Sequence, residues 1–174
     1  MLLKKIFVGC LFLLSGCGFS PLYMVDKNTG QLETEKIEVA PIQDYNGYVL
    51  KQGLDNAFNP KKVHGPKKYI LKVQMKNPHL SSQSIQGDNF ASRKKVSLRA
   101  SFQLIDKETK KELLSSSTTA LGAFNVFYEP YTTYQAEKRQ IEDLVQILVT
   151  NISTRVAAYF KQEEVFDEGQ TLTD

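Results

Sequence analysis

The chain has 174 residues, room for one domain of ordinary size, with 41% apolar and 24% charged residues and a formal net charge of +3. Those proportions, with a mean hydropathy of −0.31, exclude a collagen-like, wholly disordered or polytopic membrane chain. Both cysteines, Cys10 and Cys17, lie near the N-terminus, so the body has neither a disulfide framework nor a cysteine metal site.

Residues 1–16 read as a secretory signal. Lys4 and Lys5 supply its positive start, and Ile6 to Leu14 form an apolar stretch too short to span the hydrocarbon. The tetrapeptide Leu14-Ser15-Gly16-Cys17 resembles the bacterial lipobox. In that motif Leu14, Ser15 and Gly16 fit the peptidase, and Cys17 becomes the lipidated N-terminus, carrying a diacylglycerol on its thiol and an acyl chain on its amine. No other cofactor is expected. Several acyl chains predict stable membrane attachment. Gly18 after the cysteine, in place of the aspartate that retains lipoproteins in the inner membrane, points to the outer membrane of a Gram-negative bacterium. Loss of Lys4 and Lys5 leaves 20 basic against 19 acidic residues, about +1, which removes the main support for nucleic-acid binding.

Residues 17–34 then form an acylated start and a polar, turn-rich tether. Ile37 and Val39 alternate with charged residues, as in a half-buried strand. Tyr48 to Phe58 places Leu50, Leu54, Ala57 and Phe58 on one helical face, with Gly53 as an irregularity and Asn59-Pro60 as the stop. Tyr69, Leu71, Val73 and Met75 alternate along a second strand that Pro78 closes. Along a third strand, Lys94 to Leu104 mark one side and Arg93 to Gln103 the other. The polar turn Asp106 to Lys110 makes Glu112 to Phe127 its returning partner. Thr132 and Gln135 have capping-box spacing, ahead of a helix whose face runs Ile141, Leu144, Val145, Leu148, Ile152, Val156 and Tyr159/Phe160. Residues 163–174 read as a polar, acidic tail. The expected fold for 35–162 is one α+β domain in the order βαβββα. It is a two-layer sandwich in which both helices cover one face of a mainly antiparallel four-stranded sheet.

The chain is expected not to be an enzyme. His64 and His79 sit beside glycine or proline without a second ligand at metal spacing, and no nucleophile elbow or phosphate loop occurs. Glu142 and Asp143 diverge by about 100° on their helix, so they do not converge as an acid and a base. One charged constellation remains. Arg93, Lys95 and Arg99 share a strand face, together with Lys72 and Lys76 of the neighbouring strand, while Lys94 points the other way. Two readings stand side by side: a solvated face that discourages aggregation, or a site for phosphorylated head groups.

Three short motifs suggest a family. Cys17-Gly18-Phe19-Ser20-Pro21-Leu22-Tyr23 follows the lipobox, Pro130-Tyr131-Thr132-Thr133-Tyr134-Gln135-Ala136-Glu137 opens the long helix, and Arg155-Val156-Ala157-Ala158-Tyr159-Phe160 ends it. Together they resemble the lipopolysaccharide-assembly lipoprotein family LptE, in its alphaproteobacterial form. The resemblance implies a lipoprotein that plugs the lumen of a large outer-membrane β-barrel, LptD, helps assemble it, and helps lipopolysaccharide reach the outer leaflet. Under it, Arg93, Lys95 and Arg99 become candidates for lipopolysaccharide phosphates, and Pro130 and Tyr131 for a loop that meets the barrel. The rival reading is a generic outer-membrane lipoprotein scaffold, a pilotin or a subunit of another barrel-assembly machine, that binds no lipopolysaccharide.

Overall fold

Alternation and helical periodicity both appear in the computed structural model, which describes residues 33–62, 64–85 and 91–170, without the side chains of 83–85, 91–92 and 163–170. The expected signal, Cys17 with its lipobox, and the tether up to residue 32 lie outside the described residues. A 3-10 turn, Glu33–Lys36, leads into β1 (Ile37–Val39), α1 (Tyr45–Phe58), β2 (Tyr69–Met75), β3 (His79–Ile85), β4 (Ala91–Asp106), β5 (Glu112–Asn125) and α2 (Pro130–Gln170).

The α+β sandwich is as expected, but the sheet has five strands among the described residues, and it is mixed. β5 pairs with β4 antiparallel along residues 93–105 and so takes up one edge of β4. β2 pairs with residues 100–106 of β4 and β3 with residues 91–97, both antiparallel, so these two strands follow each other along the opposite edge. They are one lane interrupted at Lys76 to Pro78. Proline has no N–H to donate to the ladder, which breaks the lane but does not end it. The sheet is therefore four lanes wide: β1, then β2 with β3, then β4, then β5. β1 runs parallel to β2, with Ile37 opposite Tyr69, because α1 carries the chain back so that both strands run the same way.

One sheet face and two helices enclose the core. Val96, Leu98, Ala100, Phe102 and Leu104 of β4 are fully buried beneath Leu144, Val145, Leu148, Ile152 and Val156 of α2. Leu50, Leu54 and Phe58 of α1 close the other half over Ile37, Val39 and Leu71. Truncating any of these leucines to alanine is expected to cost about 2–5 kcal/mol. The phenol ring of Tyr69 meets Phe160 at 5.0 Å between centroids, which ties the far end of α2 to β2.

Two boundaries differ from the sequence reading. α2 starts at Pro130, not after Thr132, because proline at the first helical position has its φ preset and lacks only an N–H that would go unpaired there. Thr132 is therefore inside the helix, and no capping box forms. The backbone of α2 also continues through 163–170, beyond Phe160 where its apolar stripe ends.

Candidate functional site

The helices leave the second face of the sheet open, and the period of two decides what stands on it. Lys94 lies opposite Phe124 and faces the helical layer, half-buried, while Arg93, Lys95 and Arg99 are exposed on the open face. Lys72 and Lys76 of the neighbouring lane are exposed as well, and Lys76 N–H donates to Arg99 O at 2.9 Å. Side chains two residues apart on a strand stand about 7 Å from each other, so these cations form a patch and not a point. The structure thus brings Arg93, Lys95 and Arg99 onto one face.

Local partners shape the patch. Arg99 Nε donates to Thr119 Oγ1 at 3.2 Å, an exposed bond that ties the guanidinium to β5. Thr119 was not singled out by sequence reasoning; only the β4–β5 register sets it opposite Arg99. No carboxylate pairs with Arg93, Lys95 or Arg99 among the described residues. Among the described residues the face has acidic groups only toward the other end, from Gln103 onward, about 13 Å along β4 from Arg99, where Lys72 also stands. There Glu38 is held by Lys107, and Glu112 accepts from Gln103 Nε2 at 2.7 Å. The Lys107 ammonium, through its hydrogen bond and its charge, keeps the Glu38 carboxyl below its ordinary range. Among the described residues, one end of the face is thus charge-balanced and the other carries uncompensated positive charge. Arginine forks and lysine point charges arranged this way suit clustered phosphate or carboxylate groups.

Pro130 and Tyr131 occupy the first turn of α2, not a loop. Tyr131 is exposed, in company that sequence reasoning did not assemble: Phe127, Tyr128 and Tyr134 are exposed on the same stretch of chain, and Tyr128 is 99% accessible. The signal was present as four aromatic residues in eight, but without a periodicity that assigns them to a core or a surface. His64 lies in the loop after α1, and His79 starts β3. Among the described residues, no group of three or more His, Cys, Asp or Glu side chains is placed to hold a metal ion. No helix among them is long and apolar enough to cross a membrane. A groove of about 470 Å³ opens between β1, α1 and the 59–67 loop, floored by Ile37, Val39 and Phe58, with Lys62 and Lys67 at its rim. Its lining also holds Lys51 and Asp55, paired at 2.5 Å one helical turn apart on α1.

The sequence model of a family described as LptE: Lipopolysaccharide-assembly matches residues 34–156, well over half of the chain. No curated protein matches the sequence. Among solved structures, a lipoprotein from Caulobacter crescentus superposes with a TM-score of 0.58 at 18% identity, over 75% of this chain and 94% of that one. Rare lipoprotein B from Shewanella oneidensis gives 0.58 at 8% identity, over 73% and 99%. Lipoprotein B from Nitrosomonas europaea gives 0.56 at 17% identity, over 79% and 94%. At these identities the structures establish a shared fold, and the family match carries the assignment.

Proposed function

The chain belongs to the LptE lipopolysaccharide-assembly family, and from that premise we propose that it is an outer-membrane lipoprotein, anchored through Cys17, that plugs and helps assemble an LptD-type β-barrel. In this role the protein is a non-catalytic subunit. The barrel lumen is polar, and a sandwich whose second sheet face is hydrophilic and uncovered suits such surroundings. The observation that carries the lipopolysaccharide part of the reading is the uncompensated positive end of that face. Arg93, Lys95 and Arg99 stand there together with Lys76, without a carboxylate partner among the described residues. Phosphates of a lipopolysaccharide head group would meet a preset guanidinium at Arg99 and mobile cations on either side. Pro130 and Tyr131, with the aromatic residues around them, would meet the barrel.

The test is affinity purification of the C-terminally tagged chain from detergent-solubilised outer membranes. A very large barrel retained in one-to-one ratio is the expected result. A different stoichiometric partner would move the protein to a scaffold outside lipopolysaccharide delivery. Recovery of the chain in the inner-membrane fraction would remove the outer-membrane part of the reading.

A further inference from the structure

β5 is an edge strand whose second side has no partner strand among the described residues. Edge strands of this length are commonly blocked by a lysine, a proline or a bulge in mid-strand. β5 has no charge and no proline from Leu113 to Asn125, and its register is regular from Leu114 onward.

The ladder tells which backbone groups are open. Lys76 N–H bonds Arg99 O, so odd-numbered residues of β4 face the β2 and β3 lane and even-numbered ones face β5. Ala100 is opposite Thr118, so even-numbered residues of β5 bond to β4 and the odd-numbered ones turn outward. Arg155 Nη1 agrees with this by donating to Ser117 O at 2.7 Å. α2 closes the edge at both ends. Arg155 holds Ser117, and Thr133 Oγ1 both accepts from Phe127 N–H at 2.8 Å and donates to Phe127 O at 3.1 Å. Between these clamps, Thr119, Leu121, Ala123 and Asn125 keep both backbone groups unpaired among the described residues, over about 20 Å.

Exposed apolar side chains flank this opening on both faces. Leu121 is 57% accessible on the open sheet face. Ile147, 43% accessible, follows Gln140 by two helical turns and precedes Asn151 by one. Both of those touch β5: Gln140 Nε2 would be 2.6 Å from a Cβ on Gly122, and Asn151 Nδ2 donates to Thr118 Oγ1. Ile147 therefore lies on the stripe of α2 that follows the edge.

We propose that the Thr119–Asn125 edge is a docking site for a single extended segment of another polypeptide, which adds beside β5 as a further lane. A second copy of this chain fits badly. Edge-to-edge pairing would bring two copies of α2 toward the ~5 Å spacing of strands, against the 8–10 Å that packed helices need. The wall of a closed barrel is no candidate, since all its strand edges are paired. What fits is a loop or terminus in extended conformation. It places apolar side chains against Ile147 on one face and beside Leu121 on the other. Acidic residues further along the outer face would stand two lanes, about 10 Å, from the β4 backbone at Lys95 and Arg99, with β5 between them.

The probe is a synthetic ten-residue peptide with valine on one face and glutamate, leucine and threonine on the other. It is added to the isotope-labelled full chain in detergent, and amide hydrogen exchange is read by NMR. Exchange at Thr119, Leu121 and Ala123 should slow by about tenfold or more, while Ala120 and Gly122, already bonded to β4, stay as they were. The same peptide N-methylated at the amides facing β5 should give no protection, and Leu121→Lys should weaken binding without moving the melting temperature. No protection at millimolar peptide, protection that survives N-methylation, or protection confined to Ile37 and Val39 of β1 would overturn the proposal.

Discussion

At the scale of single residues, the turn between β4 and β5 shows how one side chain sets both geometry and pH response. Asp106 Oδ1 accepts from the N–H groups of Glu108 and Thr109 at 2.8 and 2.9 Å, and Lys110 takes a left-handed conformation at φ 59° to close the loop. The Thr109 N–H first, and the Glu108 N–H with it, hold the Asp106 carboxyl below its ordinary range. A carboxyl lowered in the folded state stabilises fully above its unfolded value, about pH 4, and this contribution fades as pH falls through the folded value. Asp106→Asn keeps an oxygen for both bonds but does not titrate. Its stability, followed by urea unfolding between neutral and acid pH, should therefore fall less steeply below about pH 4 than that of the parent chain. An aspartate opening a polar turn was legible in the sequence. That Thr119 would orient Arg99 was not, because the pairing depends on the register slip between Leu104 and Ile105.

Elements carry the next layer of decisions. Gly53 weakens α1 as an isolated helix, and its sequence offers no compensation. Packing supplies the reason: a Cβ at Gly53 would fall 2.5 Å from Val149 Cγ2, so the glycine lets α1 and α2 approach closely. Gly53→Ala, which favours an exposed helix, is expected here to destabilise by about 1–3 kcal/mol in denaturant titration. Adding Val149→Ala should recover part of that loss, since the clash is with a single methyl group. An equal loss in the double variant would show that the glycine serves another purpose. Strand boundaries followed the same division. The alternating apolar residues of β2 and β4 were evident, whereas the resumption of the lane at His79 was not, because His79 to Ser84 contains only one apolar residue, Leu80.

For the whole molecule, the two layers separate duties. Both helices and one sheet face bury the apolar residues, which leaves the opposite face free to hold charge without cost to the core. Substitutions on that face should therefore separate binding from folding. Arg93→Glu combined with Arg99→Glu is expected to weaken lipopolysaccharide binding by about tenfold or more, with stability changed by no more than about 0.5 kcal/mol. The parent's affinity should also fall as salt is raised, and the double variant's much less. Unchanged binding in the double variant would return the patch to a solvated face and leave the family assignment intact.

Hydrophobic periodicity alone determined both helices and every strand but β3 in nearly the observed places, and that Arg93, Lys95 and Arg99 share a side opposite to Lys94. Those are local properties, decided by the 3.6-residue turn and the two-residue pleat. The motifs around Cys17, Pro130 and Arg155 pointed to the family that the match over 34–156 establishes. Tertiary structure alone decided that β1 runs parallel to β2, that β2 and β3 share a lane, and that α2 clamps β5 through Arg155. Each of these joins residues distant in sequence. Such pairings follow from which arrangement buries the apolar faces while leaving the fewest backbone groups unpaired, a condition on the assembled chain that no local pattern contains.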